Sequence, residues 1–295
     1  MRVVMGMIVK NRFEELKRNL YHNSQFFDEV IVVSDSSTEE MNNWLVGEEA
    51  KRLGIKAVLD FDGYQTIRLR QRYLDAAEKE GWMLRLDVDE FISFEAGYQL
   101  REIAKEAEAN NVNIVGFKAC DVIHNIDGSV RIANPDFWCP NFFKLTPRIR
   151  YVGQHHEGID LGVPHAQANV VFKYYHIRAE ASIHLRGARN AFSTPHTAGG
   201  VKPGDVEAWQ DFKARCQNAG IKEFWQLEKL FRDGPVPEEI TEWIVLNRNS
   251  ENTEFRSLFV VYYILLHPEL NTLMGNTDFP VYDQNRKPYP GEMSF

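Results

Sequence analysis

Three acidic residues within four positions form the part of the sequence best suited to chemistry. Asp87, Asp89 and Glu90 follow the apolar segment from Trp82 to Leu86, whose residue types favour a β-strand. If the strand continues through these acids, the side chains of Asp87 and Asp89 point to one side, ~6 to 7 Å apart. Two carboxylates this close repel each other unless a cation lies between them. Oxygen ligands at the carboxyl end of a strand suit Mg²⁺ or Mn²⁺, and the structural alternative is a solvated acidic turn.

The elements that would position these acids alternate between strand-like and helix-like patterns. Strands are predicted at 2–9, 28–33 and 55–59, and helices at 11–23, from Ser37 onward and at 65–80. This alternation predicts right-handed crossovers and a mainly parallel sheet with helices on both faces. Ligands of such sheets bind at the carboxyl ends of the strands. The positions expected to face a ligand are 9–11, 34–37, 60–63 and 87–90.

The pattern changes after Phe91. A helix is predicted at 98–110 and strands at 112–120, 130–132, 142–145, 149–152 and 170–176, with a hairpin turn at Asp127-Gly128. Loop-rich sequence begins near residue 190, and helices are predicted at 206–220, 222–232, 238–246 and 255–266, before a Pro-rich tail from Asp278. The predicted organisation is an α/β domain at 1–190 and a helical C-terminal extension at 191–295.

Composition disfavours several classes of protein. With 295 residues and 44% hydrophobic content, the chain can bury a full core. A net charge of -8 disfavours non-specific coating of nucleic acid or anionic membrane. Three widely spaced cysteines disfavour a disulfide framework and indicate a reducing, cytoplasmic location. We expect no transmembrane segment, because the apolar run at 258–266 has nine residues and a bilayer span needs about 20.

A family resemblance follows from the ordered motifs. The segment from Trp82 to Phe91, preceded by an Arg-rich helix and by Met7 to Arg12, resembles the GT-A-fold family 2 glycosyltransferases. In that family an aromatic residue, a strand and a DXD(E) motif follow a nucleotide-binding first half. The resemblance covers residues 1 to 180. It implies a Rossmann-like GT-A fold and the activity of a hexosyl- or pentosyltransferase. Such an enzyme would move a sugar from a nucleotide diphosphate sugar to a glycan, a lipid-linked sugar or another hydroxyl acceptor. The resemblance also implies a requirement for Mn²⁺ or Mg²⁺ and inversion at the sugar carbon.

The resemblance also implies a donor site. The residues that it assigns to donor binding are Val9, Asn11, Asp35, Arg70 and Asp87. The family's base-binding acid falls on Ser34 here, so either Asp35 replaces it or the base is recognised differently. Arg70 lies where the family has an Arg-Asn pair, and an arginine fork suits a diphosphate. Arg68 and Arg72 share a different helix face and are expected to be solvated.

The same resemblance implies which residues bind the metal and which act in catalysis. The implied metal ligands are Asp87, Asp89 and His176, the last of these at the end of the apolar strand that starts at Val170. The segment from Tyr151 to Glu157 resembles a Tyr-x-Gly-x-x-His-Glu segment of one branch of the family, near the acceptor. Glu157 is the first candidate for the general base, with Glu90 or Asp89 next, and His156 is expected to meet the acceptor.

Three alternatives remain open from the sequence. His155, His156 and Glu157 could form a zinc site with a distant third ligand. Ser34, in place of the usual acid, favours a sugar-nucleotide- or carbohydrate-binding protein that has lost catalysis. Glycosylation of modified bases in nucleic acid is disfavoured by the overall acidity and favoured by a set of basic residues: Lys144, Arg148, Arg150, Arg178, Arg186 and Arg189.

Overall fold

The computed structural model describes residues 1–35, 37–61, 66–125, 129–133, 137–153, 158–179, 183–185, 187–188, 192 and 203–266. Its strands are β1 Val3–Val9, β2 Glu29–Asp35, β3 Ile55–Asp60, β4 Trp82–Arg85, β5 Glu90–Ile92, β6 Ile114–His124, β7 Val130–Ala133, β8 Trp138–Lys144, β9 Arg150–Val152, β10 Gly158–Asp160 and β11 Gln167–Ala179. Its helices are α1 Phe13–Asn23, α2 Glu39–Val46, α3 Glu48–Arg52, α4 Thr66–Ala76, α5 Phe94–Ala109, α6 Pro203–Asn218, α7 Phe224–Asp233, α8 Glu238–Leu246 and α9 Thr253–Leu266. Two compact units divide the described chain: Met1–Val122 with Ile132–Ile177, and Ile123–Arg131 with the part that starts at Arg178.

The large sheet has the order β3-β2-β1-β4-β8-β6-β11-β5, and β7 pairs with β6. Its first four strands are parallel. The pairings of β4 with β8, β6 with β8 and β11 with β5 are antiparallel. The predicted α/β class is therefore confirmed, and the parallel pairings lie in the half of the sheet where strand and helix alternate in sequence.

Helices cover both faces of the parallel strands, as predicted. Alternate residues of β1 point to opposite faces, so that Met5 joins one core cluster and Val4 another. The cluster around Met5 includes buried residues of α1, α2 and α5, and the cluster around Val4 includes Leu69 and Tyr73 of α4. Gly6 makes the approach of α4 possible, because a Cβ there would lie 2.8 Å from the Tyr73 ring.

The second unit contains the helical extension. Helices α6 to α9 begin and end within three residues of the predicted bounds, and they enclose a separate apolar core with Phe212, Leu227, Trp243 and Leu258 at its centre. None of the helices in the described ranges combines the length and apolarity that crossing a bilayer requires. The three cysteines are free thiols.

Candidate active site

The acidic segment is a turn between two strands. β4 ends at Arg85 and β5 begins at Glu90, so the expectation that Asp87 and Asp89 occupy one continuous strand is wrong. The reason lies in α1, where the buried amide of Asn19 donates hydrogen bonds to the carbonyls of Asp87, Val88 and Glu90 at 3.3, 3.1 and 2.7 Å. These bonds satisfy carbonyls that a continuing strand would pair within the sheet.

A second asparagine completes this support. Asn23 lies one helical turn after Asn19 and donates to its Oδ1 at 2.8 Å and to the Glu90 carbonyl at 3.1 Å. Its own Oδ1 accepts from the backbone N–H of Ile92 at 3.2 Å. Both asparagines are fully buried. The backbone of the acidic turn is therefore fixed by two side chains that the sequence analysis did not select.

We expect Asn19→Ala to lower the free energy of unfolding by about 2–4 kcal/mol, because several buried carbonyls lose their donor. Urea denaturation of the variant measures this loss. Asn110→Ala is the matched control, since the Asn110 amide donates to the Glu106 carbonyl at 2.8 Å at an exposed site. Equal midpoints for Asn19→Ala and the wild type would show that the asparagine does not support the turn.

Asp89 is surrounded by cationic and hydrogen-bonding groups. Its Oδ2 accepts from Arg12 Nη1 at 2.9 Å, and its Oδ1 lies 3.6 Å from His176 Nε2. Burial disfavours ionisation of Asp89, but the neighbouring His176 and the charge of Arg12 outweigh it and hold the pKa of Asp89 well below its usual range. Asp89 is thus a carboxylate at neutral pH, as a metal ligand must be.

Asp87 is held from the side of α4. Arg70 Nη2 donates to Asp87 Oδ1 at 3.0 Å, and the Arg70 side chain is only 7% exposed, whereas that of Asp87 is 44% exposed. The guanidinium is thus fixed in place and the carboxylate can still reach a ligand. Both residues are predicted to bind the donor, and the structure brings them into direct contact.

Glu90 differs from its acidic neighbours. The side chain is 9% exposed, and its Oε2 accepts from the backbone N–H of Asp87 at 2.8 Å. Burial, together with the charge of Asp87, raises the pKa of Glu90 to about 7. Glu90 is therefore placed to shape the turn and carries its proton through much of the acidic range.

The raised pKa of Glu90 predicts a pH-dependent stability. A carboxyl whose pKa is higher in the folded state stabilises the fold fully below its unfolded pKa, and this stabilisation is lost as pH rises through about 7. Glu90→Gln keeps the acceptor oxygen and removes the titration. Between about pH 5 and pH 8, in EDTA, we expect the unfolding free energy of the wild type to fall by up to ~3 kcal/mol more than that of the variant. Parallel curves of unfolding free energy against pH for the two proteins would contradict this expectation. Glu102→Gln is the control, because Glu102 is exposed.

His176 lies inside β11, where it is paired in register with Glu90. The expectation that it ends a strand is wrong, because β11 continues to Ala179 and the N–H of Ile177 bonds the Asp89 carbonyl at 2.8 Å. The imidazole also faces a residue that the sequence analysis missed, since Nδ1 is 3.5 Å from Asp121 Oδ1 on β6. The long strand thus holds His176 beside the acidic turn.

The ends of β2 and β3 carry a second group of charges. Asp35 is fully buried and its Oδ2 lies 3.3 Å from Lys10 Nζ. Its register partner Asp60 is bound by Arg68 at 2.7 Å and by Arg72 at 3.1 Å. Arg68 and Arg72 were expected to be solvated, but both guanidinium groups bind the buried carboxylate of Asp60, with the Arg68 side chain 26% and the Arg72 side chain 50% exposed.

The end of β1 is tied to the start of α2. Asn11 has a φ of 50°, in the left-handed region that asparagine tolerates better than most residues. Its N–H donates to Ser37 Oγ at 3.2 Å and its Oδ1 accepts from the N–H of Thr38 at 3.0 Å. Val9 pairs with Ser34 on β2. The predicted donor residues Val9, Asn11 and Asp35 therefore belong to neighbouring strand ends.

The residue types fit a divalent cation. Asp89 Oδ1 and His176 Nε2 are 3.6 Å apart, against ~3 Å for adjacent ligands of one octahedral ion. The carboxylate of Asp87 faces Arg70, so its side chain has to rotate to reach the same ion. Within the described ranges, no three His, Cys, Asp or Glu side chains already lie close enough to hold a metal. Asp89 and His176 are the two candidate ligands that the structure places side by side.

The candidate base lies outside the described residues. Glu157, His156 and His155 fall in the segment 154–157, between β9 and β10. The flanking strands are antiparallel, with Val152 opposite Gly158. The structure therefore places the two strands on either side of this segment and leaves the roles of these three residues as predictions.

Comparisons with known proteins give weak similarity. No protein-family model matches the chain. No curated protein matches it either. Among solved structures, residues 1–349 of TarS from S. aureus match with 15% identity and a TM-score of 0.40, over 92% of this chain and 87% of that one. GalNAc-T7 with UDP, GalNAc and Mn²⁺ matches with 10% identity and a TM-score of 0.41, over 77% and 56%.

A third similar structure is glucosyl-3-phosphoglycerate synthase from Mycobacterium tuberculosis with Mg²⁺ and UDP, at 13% identity and a TM-score of 0.32, over 40% of this chain and 43% of that one. Scores at this level do not establish an activity for the present chain. The α/β fold and the arrangement around the acidic turn are therefore the observations on which a function has to rest.

Proposed function

We propose that this protein is a metal-dependent, inverting glycosyltransferase that moves a sugar from a nucleotide diphosphate sugar to an acceptor hydroxyl. The observation that carries the proposal is the acidic turn after β4, with Asp89 ionised and His176 beside it. The turn follows the last of the parallel strands, where open α/β sheets bind their ligands.

Distinct roles follow from the surroundings of each group. Asp89 and His176 would hold Mn²⁺ or Mg²⁺, with Asp87 joining after rotation of its side chain. The cation would neutralise the charge that develops on the leaving diphosphate. Lys10 and Arg12 flank Asn11, are 42% and 40% exposed, and already bind acidic side chains of the site, so they offer positive charge to the donor.

The base-glycosylating alternative rests on six basic residues. Two of them are paired with carboxylates, since Lys144 binds Glu108 at 2.9 Å and Arg150 binds Asp160 at 2.8 Å. The side chains of Arg178, Arg186 and Arg189 lie outside the described set. The argument for a binding protein without catalysis is still Ser34, which stands where the family has its nucleobase-binding acid, while the neighbouring buried Asp35 is bound by Lys10.

The proposal is tested with the full chain and a panel of nucleotide diphosphate sugars. Thermal shifts are measured with Mn²⁺ and with EDTA, because a ligand of the native state raises apparent stability. Release of nucleoside diphosphate is then followed with the donor that binds. We expect both binding and turnover to require the metal. Metal-dependent binding without any turnover on a broad acceptor set would favour the binding protein, and no binding would overturn the proposal.

A further inference from the structure

The imidazole of His176 lies between two carboxylates. Nδ1 is 3.5 Å from Asp121 Oδ1, and Nε2 is 3.6 Å from Asp89 Oδ1. The three side chains are only 14 to 20% exposed. They come from β6, from β11 and from the turn before β5, and these elements are neighbours in the sheet order. The arrangement is therefore set by the sheet and shielded from most solvent.

A neutral imidazole cannot satisfy both carboxylates. It carries one N–H and one lone pair, so one carboxylate faces a lone pair and is repelled unless a proton or another cation lies on that side. Of the two carboxylates, Asp89 belongs to the acidic turn, whereas Asp121 lies on β6. A cation bound there would remove the repulsion at Nε2, and the single N–H would then point to Asp121.

We propose that Asp121 is a positioning residue that accepts the Nδ1–H of His176 and so turns the Nε2 lone pair toward Asp89 and a divalent cation. The inference rests on the metal site of the proposed function and adds to it a residue outside the acidic motif. Metal-ligating histidines commonly give their second N–H to a carboxylate, and loss of such a partner weakens metal binding by about 10- to 100-fold.

The first test is Mn²⁺ binding to the full chain without donor or acceptor, measured from the EPR signal of free Mn²⁺. We expect Asp121→Ala to bind Mn²⁺ about 10- to 100-fold more weakly than the wild type, and Asp121→Glu to recover part of the loss. Asp75→Asn is the matched control, because it removes a carboxylate from the exposed side of α4 in the same unit. Asp121→Asn keeps the side-chain volume in case Asp121→Ala does not fold.

The second test is the tautomer of His176, which a merely structural role of Asp121 would not set. The full chain labelled with ¹⁵N-histidine is studied with diamagnetic Mg²⁺, and His176→Gln assigns its signals among the nine histidines. We expect a protonated Nδ1 in the wild type and a loss of this preference in Asp121→Asn. A protonated Nε2 in the Mg²⁺-loaded wild type, or unchanged Mn²⁺ affinity in the Asp121 variants, overturns the inference.

The two proposals fail in different ways. If the wild type binds no divalent cation, the metal site and the role of Asp121 fall together. If the wild type binds Mn²⁺ and transfers a sugar while the Asp121 variants bind Mn²⁺ equally well, only the role of Asp121 is refuted.

Discussion

Asp89→Asn is expected to reduce sugar transfer by roughly two orders of magnitude or more, because an amide replaces the carboxylate that lies 3.6 Å from His176 Nε2. The same change removes the ion pair with Arg12 at 2.9 Å. We therefore expect a loss of about 1–3 kcal/mol in the free energy of unfolding, with the fold retained because the backbone of the turn is held by Asn19.

Kinetics at limiting and at saturating Mn²⁺ separate these effects. A lost metal ligand raises the Mn²⁺ concentration needed for half-maximal turnover, whereas a general loss of stability does not. Asp211→Asn provides the control, because it also removes a carboxylate paired with an arginine, at 3.0 Å from Arg215. Unchanged turnover of Asp89→Asn at limiting Mn²⁺ would exclude Asp89 as a metal ligand.

The location of the acidic turn could be predicted from local sequence, whereas its support had only an indirect signal. Alternating patterns predict the strands and helices, and the carboxyl ends of the strands then indicate where a site belongs. The turn itself depends on Asn19 and Asn23, which lie on the same stripe of α1 as Leu16 and Leu20. Polar residues on an otherwise apolar stripe were the available signal, since a buried amide needs partners.

Other parts of the site depend on contacts between distant segments. The partnership of Asp60 with Arg68 and Arg72 had a partial signal, because two arginines at i and i+4 lie near a strand that ends in an acid. Asp121 had none. It meets His176 only because β6 and β11 are neighbours in the sheet, and no periodic pattern in the sequence predicts a pairing of strands about 50 residues apart.

The strand before the candidate base is attached to α4, the helix that carries Arg70. Tyr151 on β9 donates its backbone N–H to Gln71 Oε1 at 3.0 Å, and its hydroxyl bonds that of Tyr73. Both partners lie on α4, next to Arg70, which binds Asp87. Glu157 follows β9 by five residues and directly precedes β10. The attachment fixes the start of the segment that carries Glu157, and the role of Glu157 as the base stays a prediction from the sequence.

Glu157→Gln is accordingly expected to lower kcat by about 100-fold or more while donor affinity changes little, because a general base acts on the acceptor proton only in the transition state. Donor affinity is measured by titration with Mn²⁺ and kcat by release of nucleoside diphosphate at saturating acceptor. His156→Ala is the comparison, and we expect it to raise the acceptor KM more than it lowers kcat. A parallel loss of donor binding in Glu157→Gln would instead make the glutamate structural, and the search for the base would then move to Asp89 or Glu90.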